Sequence, residues 1–517
     1  MNSSPALVAD HSAGPSRWGM ILAIAIPAVI AFHPLANNDL PMHLAIGDWI
    51  IEHGSVPATD PFSANGHGGP WIAHEWLAAL LFAFVFKIGG PHGLVALTVL
   101  LSGLLGAMQD RVSRLLGHPP VVRILFLIPL WLIAGRRLML RPHLLGLCSV
   151  IGLWWITLVG RKNPQRLWLA IPLLLLWANW HSSFILGLAF VLFDLLIWPD
   201  GHQASLRQRQ AIFGGCLLAT LCQPHGFDLF LFPFQLGLDP VFTTQVQEWV
   251  SPFSGEMGGT LFRQTPTFWV GMPVLLIALL VSLRNGFSRL SDSLPRATCL
   301  AIAIAVLMAF MQQRHFALAA LLGSVAIGKW QSSLYQKFDP PIRRQIQHRG
   351  IISCVLFLLL LITLGYPASI DGSSFGFRWR KPGTGWSKTL PQTPISVLTS
   401  QWQVSGPVLC DYEFGSLIVH ASAGQLQPTM DSRNTVYGPA RYIAHSQALA
   451  GPTPEQDRLL ELASAVMIRP PDNRGHPQLS QRLATDTSWA LIHIGPRCQV
   501  WVKKSAVPQK LRSFLEG

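Results

Sequence analysis

The chain has 517 residues, 50% of them hydrophobic and 12% charged, with a net charge of +13. A soluble domain carries about 25% charged residues, so composition excludes an ordinary soluble enzyme and assigns most of this chain to lipid. The positive charge gathers in short clusters between apolar runs, at 161–166, 207–209, 284–296 and 329–349. That is the pattern that orients membrane helices, and it excludes nucleic acid as a partner.

Taken in chain order, residues 1–17 read as a cytoplasmic N-terminus ending at Arg17. Apolar runs then recur from Trp18 to Tyr366. At roughly 20 residues per span they predict a mainly α, polytopic membrane domain of about 11–13 spans over residues 18–371, surrounded by membrane lipids. No small-residue cleavage site directly follows the first run, which reads as a retained span. The segment after it, 33–75, holds Asp39, Asp48, Glu52, Asp60 and Glu75 together with His33, His43, His53, His67 and His74. From Trp18 to Phe86 there is no lysine or arginine, so this loop is expected outside.

Working back from the basic loop 329–349, the same rule puts 312–315, 223–267, 177–183 and 136–143 on that outer side. One stretch does not close. Between residues 73 and 111 an odd number of crossings is needed, yet two apolar runs, 76–88 and 93–109, lie there. Which one spans is left open. Beyond Tyr366 the runs become short and alternating (PVLCDY, SLIVHA, SAVMIRP, SWALIHIG, CQVWVKK), with polar helical stretches between them. Residues 372–517 are therefore expected to form an extracytoplasmic α/β domain. Its Cys410 and Cys498 would be free to pair in an oxidising compartment.

On this map the ionisable and amide side chains collect at the outer helix ends: Asp39, His43, Asp48, Glu75, Arg141, His143, Asn179, His181, His225, Glu248, Arg314 and His315. Each alone is explained as well by a helix end or a solvated loop. As a set they point to one wet cavity, because such groups near a membrane face a cavity or a partner. Asp39 is the candidate general base, with N-capping before Pro41 as the bland alternative. Asp60, His74 and Glu75 are further loop candidates for binding substrate. A carboxylate–histidine set suits a divalent metal such as Mg or Mn, although no tight spacing such as HExxH occurs. Arg136, Arg137 and Arg141 sit outside against the charge rule, and arginine suits phosphate through its fork.

Asn38-Asp39 after the first span, then DLPMHLAIGDWIIEHGSVPATDPFS, PWIAHEWL, RPHLLGL, WANWHSSFILGL, DYEFGSLIVH and MDSRNTVYG, resemble a bacterial group of predicted glycosyltransferases in the GT-C superfamily. The resemblance runs over most of the chain. It implies an enzyme of the cell inner membrane and envelope that takes a sugar from a polyprenyl-phosphate carrier. The acceptor would be an extracytoplasmic glycan, lipid or protein. It carries the catalytic role onto Asp39 alone. Many GT-C enzymes have two adjacent acids here, whereas this chain has Asn37 and Asn38, so a second acid would come from Asp48, Asp60 or Glu75. The rival readings are a transporter or flippase for a lipid-linked or anionic solute, and a non-enzymatic envelope assembly protein.

Overall fold

A computed structural model describes residues 17–66, 68–287, 294–371, 376–473 and 475–515. The expected cytoplasmic segment before Arg17, the loop residue His67 and part of the basic loop 284–296 lie outside the described residues.

The first half is helical throughout. In order come α1 (Arg17–Ala31), α2 (Leu40–His53), α3 (Trp76–Leu115), α4 (Pro120–Ala134), α5 (Pro142–Gly160), α6 (Ala170–Trp180), α7 (Phe184–Leu192) and α8 (Leu206–Leu221). Then follow the short α9 (Asp228–Gly237), α10 (Pro240–Gln245) and α11 (Met257–Arg263), and the long α12 (Pro266–Phe287), α13 (Arg296–Met311), α14 (Phe316–Tyr335) and α15 (Pro340–Thr363). By length and composition, α3, α5, α12 and α15 can each cross a membrane, and α1, α7 and α13 are shorter apolar helices. The chain is a polytopic helical membrane protein.

The apolar stretch 76–115 is broken at Gly90. This residue sits at φ 57°, ψ −153°, a conformation that favours glycine, and with Pro91 it breaks α3 into two halves. The first half packs on α2, where a Cβ at Gly47 would collide with the Ala79 carbonyl. The second half runs beside α1 so closely that a Cβ at Gly106 would collide with the Ala23 carbonyl, while Gly103 faces Ile24 and Ala28. Residues 91–115 thus run antiparallel to α1. Residues 76–89 stay at the end of the bundle where α1 finishes. This arrangement is what a single crossing between residues 73 and 111 would require.

After α15 comes a hairpin, β1 (Tyr366–Asp371) with β2 (Gly376–Arg380), and then a mixed α/β unit. Its elements are α16 (Gln392–Ser396), β3 (Gly406–Cys410), α17 (Tyr412–Ala421), β4 (Leu426–Pro428), α18 (Asn434–Ala450), α19 (Pro454–Leu462), β5 (Ala465–Ile468), α20 (Pro477–Thr485), β6 (Trp489–Ile494) and β7 (Gln499–Lys503). The sheet order is β4-β3-β5-β7-β6, parallel on the β3 side and antiparallel on the β7 side. The cysteine pairing left open by the sequence does not form. Cys410 and Cys498 are both free and buried. β5 lies between their strands, which at about 4.8 Å per strand puts two strand spacings between them, beyond the roughly 7 Å Cα limit of a disulfide.

This unit sits on the loop after α1. Leu35 exchanges backbone hydrogen bonds of 2.8 Å with Gly385 and Ser387, and Val419 of α17 packs with Met42, Ile46 and Trp71. The firmest tie is ionic. Arg433 bonds Asp431 at 2.7 Å and Asp60 at 2.5 Å, with both carboxylates fully buried, and its guanidinium lies over the Trp71 and Phe62 rings. Tyr437 donates to the same Asp431 at 2.7 Å. Removing one partner of such a group leaves the others charged and buried, a cost of about 3–5 kcal/mol. Arg433→Met is therefore expected to lower the thermal unfolding midpoint of the purified protein and expose the 33–75 loop to limited proteolysis. A variant as stable and as resistant as the wild type would show that this group does not hold the two parts together.

Candidate active site

Asp39 occupies the cap position of α2, but its side chain makes no capping hydrogen bond. Asn37 does that local work instead: its Oδ1 accepts from the Asp39 N–H at 3.1 Å and from Arg141 Nε at 2.9 Å, and its Nδ2 donates to the Leu140 carbonyl at 3.2 Å. The Asp39 carboxylate is thereby released from the backbone. Its Oδ2 lies 2.9 Å from Arg141 Nη2.

Arg141 stands in extended backbone just before α5, where Pro142 opens the helix. Its Nη1 donates to Glu248 Oε2 at 2.8 Å, and Arg137 Nη1 reaches the same oxygen at 2.7 Å. Burial works against the Arg141 charge, but Asp39 and Glu248 outweigh it and raise its pKa. Burial likewise opposes the Glu248 charge, and Arg137, Arg141 and Arg314 reverse this, holding its carboxyl well below the usual range. Glu248 is placed by a short backbone pairing: its carbonyl accepts from the Arg314 N–H at 3.2 Å, and that of Val250 from Gln313 at 3.3 Å. The Arg314 guanidinium stacks on Trp249, 4.5 Å from the ring centroid. It makes no hydrogen bond or ion pair to a side chain among the described residues, so its donors are open.

A second group forms around Glu75, at the start of α3. Its oxygens lie 3.7 Å from His43 Nε2, 3.6 Å from His74 Nε2 and 3.9 Å from His181 Nε2. Burial raises the Glu75 pKa, and the three imidazoles more than reverse it. The proton on His181 can be located. Trp177 Nε1 donates to Ser183 Oγ at 3.0 Å, which turns the hydroxyl proton toward His181 Nδ1 at 2.7 Å, and the Ser183 N–H also points at Nδ1 at 3.1 Å. Nδ1 is an acceptor, so Nε2 carries the proton and faces Glu75. A ring protonated on that nitrogen is no metal ligand. Among the described residues no group of three or more His, Cys, Asp or Glu side chains is arranged to hold a metal ion. The donor set does not fit the divalent metal that the loop composition raised.

Of the residues expected from the sequence, Asp39, His43, His74, Glu75, Arg141, His181 and Arg314 gather in these two groups. The loops holding 136–143, 177–183, 248 and 312–315 do share one end of the bundle with Asp39. His315 follows Arg314, and burial with the nearby Arg314 and Arg137 charges keeps it neutral, well below the usual histidine pKa. His143 stands one step behind, its Nε2 2.8 Å from the Arg137 carbonyl. His225 is near His74, bonded to the backbone of Ala73. Asn179 is buried and spent on structure, accepting from Trp76 Nε1 at 2.9 Å and donating to the Leu175 and Cys222 carbonyls. Asp48 points elsewhere, half-exposed and 3.3 Å from Lys87, and Asp60 belongs to the Arg433 group. Asn37 is the residue the sequence did not single out for this site; Tyr412, equally open to a structural or a functional role in the sequence, also comes near it. Burial, then the charge of Asp39, then Tyr442 push the Tyr412 phenol well above its ordinary pKa, which places α17 of the C-terminal unit beside Asp39.

The chain is thus a membrane helix bundle with an acid at the end of its first apolar helix and an α/β unit over that end. Among solved structures, the chain is similar to the archaeal oligosaccharyltransferase AglB from Archaeoglobus fulgidus, in complex with an inhibitory peptide and a dolichol-phosphate. The match has a TM-score of 0.51 at 11% identity and covers 87% of this chain and 69% of that one, a likeness of fold alone. No family model matches the chain, and no curated protein matches its sequence.

The buried imidazoles set a pH dependence. Burial holds His33, His181 and His445 near a pKa of about 4, below the ordinary 6.5. Between these values the unfolded chain binds more protons than the folded one, so stability rises with pH there and is lost as pH falls from about 6.5 toward 4. The unfolding midpoint in detergent should drop steadily over that window and stay level from pH 7 to 8. A midpoint constant from pH 7 to 4.5 would contradict neutral, buried rings.

Proposed function

We propose that this chain is a membrane glycosyltransferase that moves a sugar from a polyprenyl-phosphate carrier to an acceptor on the extracytoplasmic side of the cell membrane. Asp39 is its general base. The observation that carries this reading is the state of the Asp39 carboxylate. It stands at the end of the first membrane helix of a GT-C fold, makes no capping hydrogen bond, and pairs with Arg141 through Oδ2, with no hydrogen bond to Oδ1 among the described residues. Its 2.9 Å ion pair with Arg141 holds the carboxylate in place, and a general base must lie within hydrogen-bond reach of the proton it takes.

The reaction is inverting. An acceptor hydroxyl or amine attacks the anomeric carbon while its proton passes to Asp39. The bond from that carbon to the phosphate oxygen breaks, and polyprenyl phosphate leaves with the electron pair. The open donors of Arg314 and the fork of Arg141 are suited to the charge that develops on the phosphate. An apolar groove supports a lipid donor. Met308 and Leu318 line it at the Arg314 end, and Phe193 and Ala297 lie further along the bundle. Transport is less well supported: Asp194, an acid within the apolar run 184–197, is fully buried and closed off by Arg161 and by His202 at 2.8 Å.

The test is a turnover assay on purified protein in nanodiscs with radiolabelled polyprenyl-phosphate sugars, comparing wild type with Asp39→Asn and Arg314→Gln. Removal of a general base typically costs about 10²–10⁴-fold. Asp39→Asn should lose turnover on that scale while still binding donor, and Arg314→Gln should weaken donor binding as well. Equal turnover in wild type and Asp39→Asn, or none with any donor, would sink the assignment.

A further inference from the structure

The loop expected outside between residues 223 and 267 contains a helix that is apolar on two opposite sides. On α9 and its flanks, Phe227, Leu231, Phe234 and Leu238 are 68%, 48%, 55% and 66% exposed. The two flanking residues keep helical backbone, so steps of four, three and four residues set these side chains in one row. Leu229 and Phe232 lie on the opposite side, buried in the bundle. Asp228 and Gln235, seven residues apart, are exposed on an edge between the two sides. A helix that is hydrophobic on nearly all sides is a covered one, and among the described residues nothing covers this row.

Both ends of α9 are fixed at the outer end of the bundle. Before it, the Cys222 carbonyl accepts from Asn179, near the end of α6, at 3.1 Å, and His225 bonds the Ala73 backbone. Along it, Phe230 meets Phe184 at the start of α7 with ring centroids 5.2 Å apart, and Phe232 lies 4.4 Å from the His74 ring. After it, Gln312, just past α13, donates to the Gly237 carbonyl at 2.9 Å. These partners all stand at outer helix ends, so α9 runs across the end of the bundle and not into it. Its length of about 15 Å is half of the roughly 30 Å hydrocarbon core.

We propose that α9 is a membrane-surface helix whose row of Phe227, Leu231, Phe234 and Leu238 sits among the upper acyl chains of the outer leaflet, with Asp228 and Gln235 toward the headgroups. The row continues the outward apolar surface of the bundle on both sides: Leu218 and Leu221 at the end of α8, and Leu307 and Met311 at the end of α13, are exposed as well. The apolar face of an interfacial helix enters to about 5–10 Å at such a boundary. A second copy of the chain is the weaker candidate for the cover. A stable protein interface buries about 800 Å² on each partner, and one row along a helix of about 15 Å offers much less. The inference rests on the membrane bundle and not on sugar transfer. Because α9 leads through α10 to Glu248, the bilayer surface holds the segment that carries that acid.

The test uses the full-length protein in phosphatidylcholine nanodiscs, in a Cys222→Ser background because Cys222 is the exposed cysteine. Leu231→Cys, Phe234→Cys and Gln235→Cys are each labelled with a bimane fluorophore, and the background alone supplies the blank. Quenching by lipids with a doxyl group high on one acyl chain is compared with quenching by aqueous iodide. The labels at 231 and 234 should lose about half or more of their fluorescence to the doxyl lipid and little to iodide, and the label at 235 should show the reverse. Two positions in the row keep the test decisive if one variant fails to fold. Quenching at 231 and 234 by iodide and not by the doxyl lipid would put the row in water and overturn the proposal. Protection there from both quenchers would show that protein covers the row, and would overturn it equally.

Discussion

The site depends on the three-way reach of Arg141. One guanidinium fastens Asn37 and Asp39, at the end of the first helix, to Glu248 in a loop more than a hundred residues later. Bidentate and charge-assisted bonds of this kind fix geometry as well as adding energy, and a lysine would offer a point charge in place of the fork. Because Arg141 and Arg137 share Glu248, and Glu248 is paired by its backbone to the Arg314 segment, four separate connections are drawn to one end of the bundle. The bundle could form without this tie.

Around that tie the chain separates two acids by their surroundings. Asp39 faces guanidinium and keeps a free oxygen. Glu75 faces three imidazoles within 4 Å, whose charges favour its anionic form. His43 stands four residues after Asp39 on α2 and reaches Glu75 with Nε2, so it lies between the two groups, and its Nδ1 is buried without a partner. The α/β unit completes the enclosure. It is anchored through Asp60 and Arg433 on one side and brings Tyr412 toward Asp39 on the other.

Much of this could be read in the sequence because membrane proteins expose their topology in charge. The absence of Lys and Arg from 18–86 and the basic loops further on placed 136–143, 177–183, 248 and 312–315 with Asp39, and the structure gathers them at one end. Four things were hidden. The break at Gly90 is a single backbone dihedral, and no hydropathy run reports which half of α3 follows α1. Asn37 looked like a missing acid beside Asp39, whereas its amide is what both caps locally and seats Arg141. Asp60 looked like a turn residue or site acid, and its partner Arg433 lies hundreds of residues away, a pairing that spacing cannot disclose. The hydrophobic pattern of 372–517 announced a small α/β unit, but Cys410 and Cys498 are held apart by β5, a strand order visible only in three dimensions.

The most direct measurement of the central claim is a structure of the protein in nanodiscs with a polyprenyl phosphate bound. The account predicts the phosphate within hydrogen-bond distance of the Arg314 guanidinium over Trp249, with the Asp39–Arg141 pair intact and the chain in the groove lined by Met308 and Leu318. A carrier bound elsewhere on the bundle, or seated there with Asp39 turned away to cap α2, would contradict it.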